Sequence, residues 1–209
     1  SGVKPIVVSV DEIRSMISVG QEEGTVEEAQ AEMLHNVFEF GHRSVKDVMK
    51  PRPEVIAIEE GTKISDFLSV YSDYPHTRFP VYRDGLDHII GTISAKDVLM
   101  ATARGATNQT SSIDKLVRPV TFVPETKRVV QLLADMQEHG THMVVVVDEF
   151  GIISGIVTVD QLVSEIVGEM GDELKQEDKD FEVIDDKTIQ VDGGMRIDEA
   201  NQELDLGLP

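Results

Sequence analysis

Gly91-Thr92-Ile93-Ser94-Ala95-Lys96-Asp97-Val98-Leu99 returns 64 residues later as Gly155-Ile156-Val157-Thr158-Val159-Asp160-Gln161-Leu162-Val163. The same spacing relates Thr62-Lys63 to Thr126-Lys127, Leu68 to Leu132 and Arg78 to His142. Upstream, Val45-Lys46-Asp47-Val48-Met49 is matched by Ile113-Asp114-Lys115-Leu116-Val117 at a spacing of 68, with the extra length assigned to the loop around Pro51-Arg52-Pro53. Self-similarity of this length signals a duplicated supersecondary unit. Each copy reads as a short strand (55–58; 121–123), then a helix beginning near Thr62 or Thr126 and ending near Tyr74 or His139-Gly140. A strand follows (79–82; the β-branched run 143–147), then a turn at Arg83-Asp84-Gly85 or Asp148-Glu149-Phe150-Gly151, where glycine makes positive φ inexpensive. A second apolar strand (89–93; 153–157) runs into a helix through Ser94 or Thr158 as cap. The grammar is β-α-β-β-α, twice, with apolar strands covered by helices, so the fold class is α/β.

Outside the copies, residues 1–42 read as a helical segment. Asp11 stands near one cap, with Ile13, Met16 and Ile17 on a face; Thr25 to Glu28 has the form of a capping box, followed by Ala29, Met33, Val37 and Phe40, with Gly41 as the stop. The first copy spans 43–106 and the second 107–170. Residues 171–180 are an acidic linker, and 181–209 begin a further α+β segment: a hairpin turning at Asp185-Asp186-Lys187, then a helix from Met195.

Composition narrows function. The 209 residues carry 39 acidic and 19 basic side chains, a net charge of −20, of which −11 falls in residues 165–209. Such a field disfavours nucleic acid and anionic membrane surfaces as partners. No cysteine is present, which removes disulfides, thiolate metal sites and cysteine nucleophiles. The longest apolar run, Met143 to Val147, is far below the ~20 residues of a membrane-spanning helix. Ser1-Gly2 reads as a cloning remnant or an internal cut. No phosphate-binding P-loop, zincin motif or Ser-His-Asp order occurs, so no catalytic residue is assigned. His139-x-x-His142 is interrupted by Gly140 and has no third ligand nearby, so no metal site is assigned, and His76 and His88 read as surface residues near turns.

Ser94 and Thr158 lie where a strand becomes a helix, where a hydroxyl and free N–H groups together can hold a phosphate or a hydroxyl. Asp97 is three residues on, so its carboxylate returns to the same helix end and can accept a ribose diol. Spacing alone favours the plainer reading, a helix cap and a carboxylate complementing the helix dipole, over a nucleotide site. In the second motif Gln161 replaces the acid, which moves to Asp160, about 100° away around the helix. The two sites are therefore expected to be unequal.

The repeated Gly-x-apolar-Ser/Thr-x-x-Asp pattern, the Arg78-Phe79-Pro80-Val81 strand and the Val48-Met49 opening resemble a tandem pair of CBS domains, or Bateman module. Val37-Phe38-Glu39-Phe40-Gly41, Val147-Asp148-Glu149-Phe150-Gly151 and Ile166-Val167-Gly168-Glu169 resemble the CorC/HlyC branch, membrane-anchored proteins linked to magnesium and cobalt transport. The resemblance covers about residues 30–209 and implies two repeats packed as a pseudo-twofold pair with two nucleotide clefts between them. One cleft would combine Ser94 and Asp97 with Arg118, Pro119, Val120, Thr141, His142 and Met143. The other would combine Ile156, Thr158 and Gln161 with Met49, Lys50, Arg78 and Pro80. Asp97 favours the first cleft as the ribose site, whereas the branch often places ATP in the second; the choice stays open. The resemblance implies AMP or ATP as regulatory ligand, with Mg²⁺ accompanying it, and a flat homodimer formed through the repeat helices. It also implies a chain cut from a longer protein, held by its own membrane domain at the cytoplasmic face of the inner or plasma membrane. Residues 181–209 would be the truncated start of a transporter-associated domain. The alternative is an oligomerisation scaffold whose clefts stay empty.

Overall fold

A computed structural model describes residues 9–168, 181–185, 188–191 and 201. The elements are α1 (Val10–Glu22), α2 (Glu28–Phe40), α3 (Val45–Val48), β1 (Lys50–Pro51), β2 (Ile58–Glu59), α4 (Ile64–Asp73), β3 (Arg78–Tyr82), β4 (Ile89–Ser94) and α5 (Ala95–Ala103). They continue as β5 (Thr121–Pro124), α6 (Val129–His139), β6 (Met143–Val147), β7 (Ile153–Thr158), α7 (Val159–Val167), β8 (Phe181–Asp185) and β9 (Thr188–Val191). Single 3-10 turns occupy Arg52–Glu54 and Asp114–Leu116.

The chain divides into two units, Ser1–Glu169 and Met170–Pro209. Within the second, β8 and β9 pair antiparallel as the expected hairpin. Its turn residues 186–187, the acidic linker 171–180 and the helix expected from Met195, apart from Asn201, lie outside the described residues.

The first unit holds two sheets of one design. In the first copy β2 pairs parallel with β3, which pairs antiparallel with β4. In the second β5 pairs parallel with β6, and β6 antiparallel with β7. β6 reads as an unbroken apolar run because both its faces are buried. Val144 and Val146 enter a core with Leu132, Met136 and Leu162, while Met143 and Val145 enter a second core with Ile89, Ile153 and Ile156, between the copies.

The copies complete one another. Lys50 of β1, ahead of the first copy's strands, pairs with Ile156 of the second copy's β7. Arg118, ahead of the second copy's strands, bridges to Thr92 of the first copy's β4. In the same reciprocal way Val45 and Val48 join the core of the second copy, and Ile113, Leu116 and Val117 that of the first. These crossings require the glycines of the repeated motif. A Cβ at Gly155 would stand 2.2 Å from the Lys50 carbonyl oxygen, and one at Gly91 2.4 Å from that of Arg118.

Several expectations are corrected. The repeat spacing is 65, not 64, from the first helix of each copy to the end of the hairpin's first strand. Arg78 and Met143 hold the equivalent ladder positions opposite Ser94 and Thr158, and Thr77 and His142 both accept from the residue that opens the next helix. The connection from Tyr82 to Ile89 is one residue longer than that from Val147 to Ile153, which restores 64 afterwards. Arg78 and His142 are therefore not counterparts. At the N-terminal helices, Ser9 with Glu12, not Asp11, makes the box that caps α1. Glu27 with Gln30, not Thr25 with Glu28, caps α2. Gly41 ends α2 in right-handed backbone. Met16, Ile13, Met33 and Val37 are exposed, while Ile17, Ala31 and Phe40 are buried. The helices α4 and α6 start two and three residues after the expected threonines, with Lys63 and Arg128 as caps. The strand expected at 55–58 is displaced to Ile58–Glu59, the two residues that pair with β3.

Candidate functional site

Two clefts open where the copies meet. The first, of ≈ 300 Å³, is lined by Lys50, Ile56, Pro75, His76, Thr77, Arg78, His142, Met143, Ile156, Thr158, Asp160 and Gln161. The second, of ≈ 530 Å³, has Thr92, Ser94, Lys96, Asp97, Met100, Arg118, Pro119, Thr121, Gly140 and Thr141, again with Arg78, His142 and Met143. Once the one-residue correction is made, the walls correspond pairwise. Pro75 to Arg78 answer Gly140 to Met143, Ile56 answers Thr121, Lys50 answers Arg118, and Asp160-Gln161 answer Lys96-Asp97.

Both clefts carry cations in a chain of net charge −20. Lys50 and Arg78 line one together with Asp160, His76 and His142; Arg78, Lys96 and Arg118 line the other together with Asp97 and His142. Among the described residues the side chains of Lys50, Arg78 and Lys96 make no ion pair or hydrogen bond, so their charges are free for an anion. Burial, and then the charge of Lys50, hold His76 below the ordinary histidine range, so it stands neutral at neutral pH.

The helix starts differ. The Thr158 hydroxyl accepts from the Gln161 backbone N–H at 3.2 Å and caps α7, whereas Ser94 occupies the cap position of α5 without a side-chain bond. The Gln161 side-chain amide donates to the Val48 carbonyl. The Asp97 carboxylate accepts from Arg118 Nε at 3.1 Å.

Of the residues singled out by sequence, Ser94, Asp97, Arg118, Pro119, Thr141, His142 and Met143 line the larger cleft. Lys50, Arg78, Ile156, Thr158 and Gln161 line the smaller. Three do not belong. Met49 alternates with Lys50 in extended chain, so it points the other way, into the second copy's core. Pro80 is buried two residues further along β3, away from the cleft end. Val120 packs in the core between the copies. Ile56, Pro75, His76, Thr77, Thr92, Lys96, Met100, Thr121 and Asp160 were missed as cleft residues. The correct spacing of 65 would have found His76 from Thr141 and Thr77 from His142. Among the described residues no cluster of three or more metal-ligating side chains occurs.

A family model for the CBS domain matches residues 45–104 and 112–168. The chain belongs to the CBS-domain family. It is a tandem CBS pair of the CorC branch, 34% identical over 92% of its length to the magnesium and cobalt efflux protein CorC of Escherichia coli, of which it covers 65%. It is 33% identical over 96% of its length to the protein YhdP of Bacillus subtilis, and spans 45% of that relative. The chain thus spans about half to two thirds of the length of these two relatives. The solved CBS domain of a bacterial CNNM/CorC family Mg²⁺ transporter has a TM-score of 0.69 at 34% identity, covering 79% of this chain and 100% of that one. A CBS domain of that transporter family in complex with ATP has a TM-score of 0.61 at 37% identity, covering 66% and 97%. A CBS-domain pair with bound AMP from Klebsiella pneumoniae has a TM-score of 0.50 at 30% identity, covering 60% and 98%.

Proposed function

We propose that this CBS pair is a regulatory module that binds an adenine nucleotide, ATP or AMP, between its copies and thereby biases a membrane protein of Mg²⁺ or Co²⁺ transport. The observation that carries the reading is the concentration of unpaired cations in two clefts of a strongly acidic chain. An anion is the guest such clefts suit, and free helix N–H groups at the starts of α5 and α7 add donors. The nucleotide complexes of similar CBS domains support adenine as the base. Regulation follows because a guest contacting both copies stabilises one relative arrangement over others. Mg²⁺ accompanies the phosphates as counter-ion, and the module acts without chemistry on its ligand. It works as a homodimer on the cytoplasmic side, coupled to its own membrane domain.

Thermal unfolding with AMP, ADP, ATP and S-adenosylmethionine tests this. ATP at a hundred times its dissociation constant stabilises the fold by about 2.7 kcal/mol. Arg78→Ala weakens that binding by about ten- to hundred-fold, the worth of a charge-assisted hydrogen bond. A melt that no nucleotide moves refutes the reading and leaves the empty scaffold.

A further inference from the structure

Leu132, Met136 and Val144 stand in the second copy where Phe67, Tyr71 and Phe79 stand in the first, and Thr141 where His76 stands, all at the spacing of 65. The first copy packs rings at these places. Phe67 meets Phe79 edge-on at 5.5 Å and lies parallel to Tyr71 at 6.4 Å, and His76 leans on Phe79 at 5.8 Å. The second copy has no ring at any of the four places, and all four substitutes line a pocket of ≈ 170 Å³ between α6 and the strands β5 and β6. We propose that this pocket is a binding site for a small uncharged aromatic molecule bearing one hydrogen-bond donor, of the phenol or indole class.

The floor of the pocket is apolar: Val123, Leu132, Met136 and Val144 are all buried. An apolar cavity of about 150 Å³ excludes water and admits a benzene ring, so the space left by the missing rings suits one ring from outside. The rim supplies the polar handle. Lys127 and Asp135 are bonded to each other there, so they present no unmet charge and favour an uncharged guest. His139 Nδ1 donates to the Asp135 carbonyl at 2.7 Å, which leaves Nε2 of the uncharged ring as an acceptor for an O–H or N–H. The Thr121 and Thr141 hydroxyls make no hydrogen bond among the described residues and add two further groups. The pocket lies within the second copy and shares only Thr121 and Thr141 with the larger cleft, so its guest binds whether or not a nucleotide does.

Titration of the full chain, methyl-labelled, with indole and with phenol tests this by NMR. Ring currents should move the Leu132, Met136 and Val144 methyl resonances saturably, and further than those of Met100 and Met143 in the clefts. Leu132→Phe restores the ring of the first copy and should weaken binding by about tenfold or more, because the volume is then taken; Met136→Tyr should do the same. A titration without saturable shifts overturns the site, as do shifts centred on Met100 and Met143, which would put the ring in a cleft. Unchanged affinity in either variant also overturns it. A variant whose melt is no longer cooperative gives way to the other, and the position of the wild-type shifts decides alone if both fail. None of these readouts involves a nucleotide, so failure here leaves the function proposed above standing.

Discussion

At the scale of the residue, His76 is a reporter of the cleft. Burial and Lys50 keep it uncharged when no anion is present, and its ring packs at 5.8 Å from Phe79. A bound phosphate offsets the charge of Lys50 and attracts the imidazolium, which raises the proton affinity of His76, so binding and protonation are linked. The sign follows: nucleotide affinity grows as pH falls through the bound-state pKa of His76 and levels off below its free-state value, which lies under the ordinary ~6.5. Titration of His76 by NMR should show an upward shift on adding ATP. His76→Gln should flatten the affinity profile relative to wild type. An unmoved resonance would mean that the ligand lies away from this cleft.

At the scale of the element, the two helix starts that look alike in sequence do different work. Thr158 caps α7 and Ser94 leaves α5 uncapped. Thr158→Ala should cost about 1 kcal/mol by urea denaturation, and Ser94→Ala no more than a few tenths. Equal losses would mean that Ser94 forms the cap in solution. Elements of this kind show which parts of the fold the sequence disclosed. β6 was plain because burial on both faces writes a continuous apolar run. β1 and β2 were hidden or misplaced because two-residue strands are defined by their partners, not by a pattern of their own. The caps of α1 and α2 were misplaced because Ser9-x-x-Glu12 and Glu27-x-x-Gln30 compete with neighbouring acidic and hydroxyl residues within one turn. The cleft residues nearest the repeated motif are legible from strand-to-helix chemistry, whereas His76 and Thr77 follow only once the hairpin lengths fix the register.

At the scale of the whole molecule, stability is distributed against the order of the chain. Phe40, Val45 and Val48, which precede the first copy's strands, are buried in the core of the second. Removing residues 1–49 should therefore strip hydrogen-exchange protection from α6 and β6 while that of α4 and β3 persists. The loss, three large buried side chains, is on the order of 5 kcal/mol. Greater exposure of the first copy would contradict this assignment of the cores.

The reciprocal bridges, Lys50 to Ile156 and Arg118 to Thr92, carry a lesson about ancestry. A polypeptide with a single copy would have its leading arm dangling and its own core short of the side chains that arm supplies. Its cheapest remedy is a second molecule, each lending its arm to the other. Joining the two genes end to end makes that loan unimolecular, at a local concentration no cell could reach with separate chains. It also frees the halves to diverge, so that an arginine kept on one side need not be kept on the other.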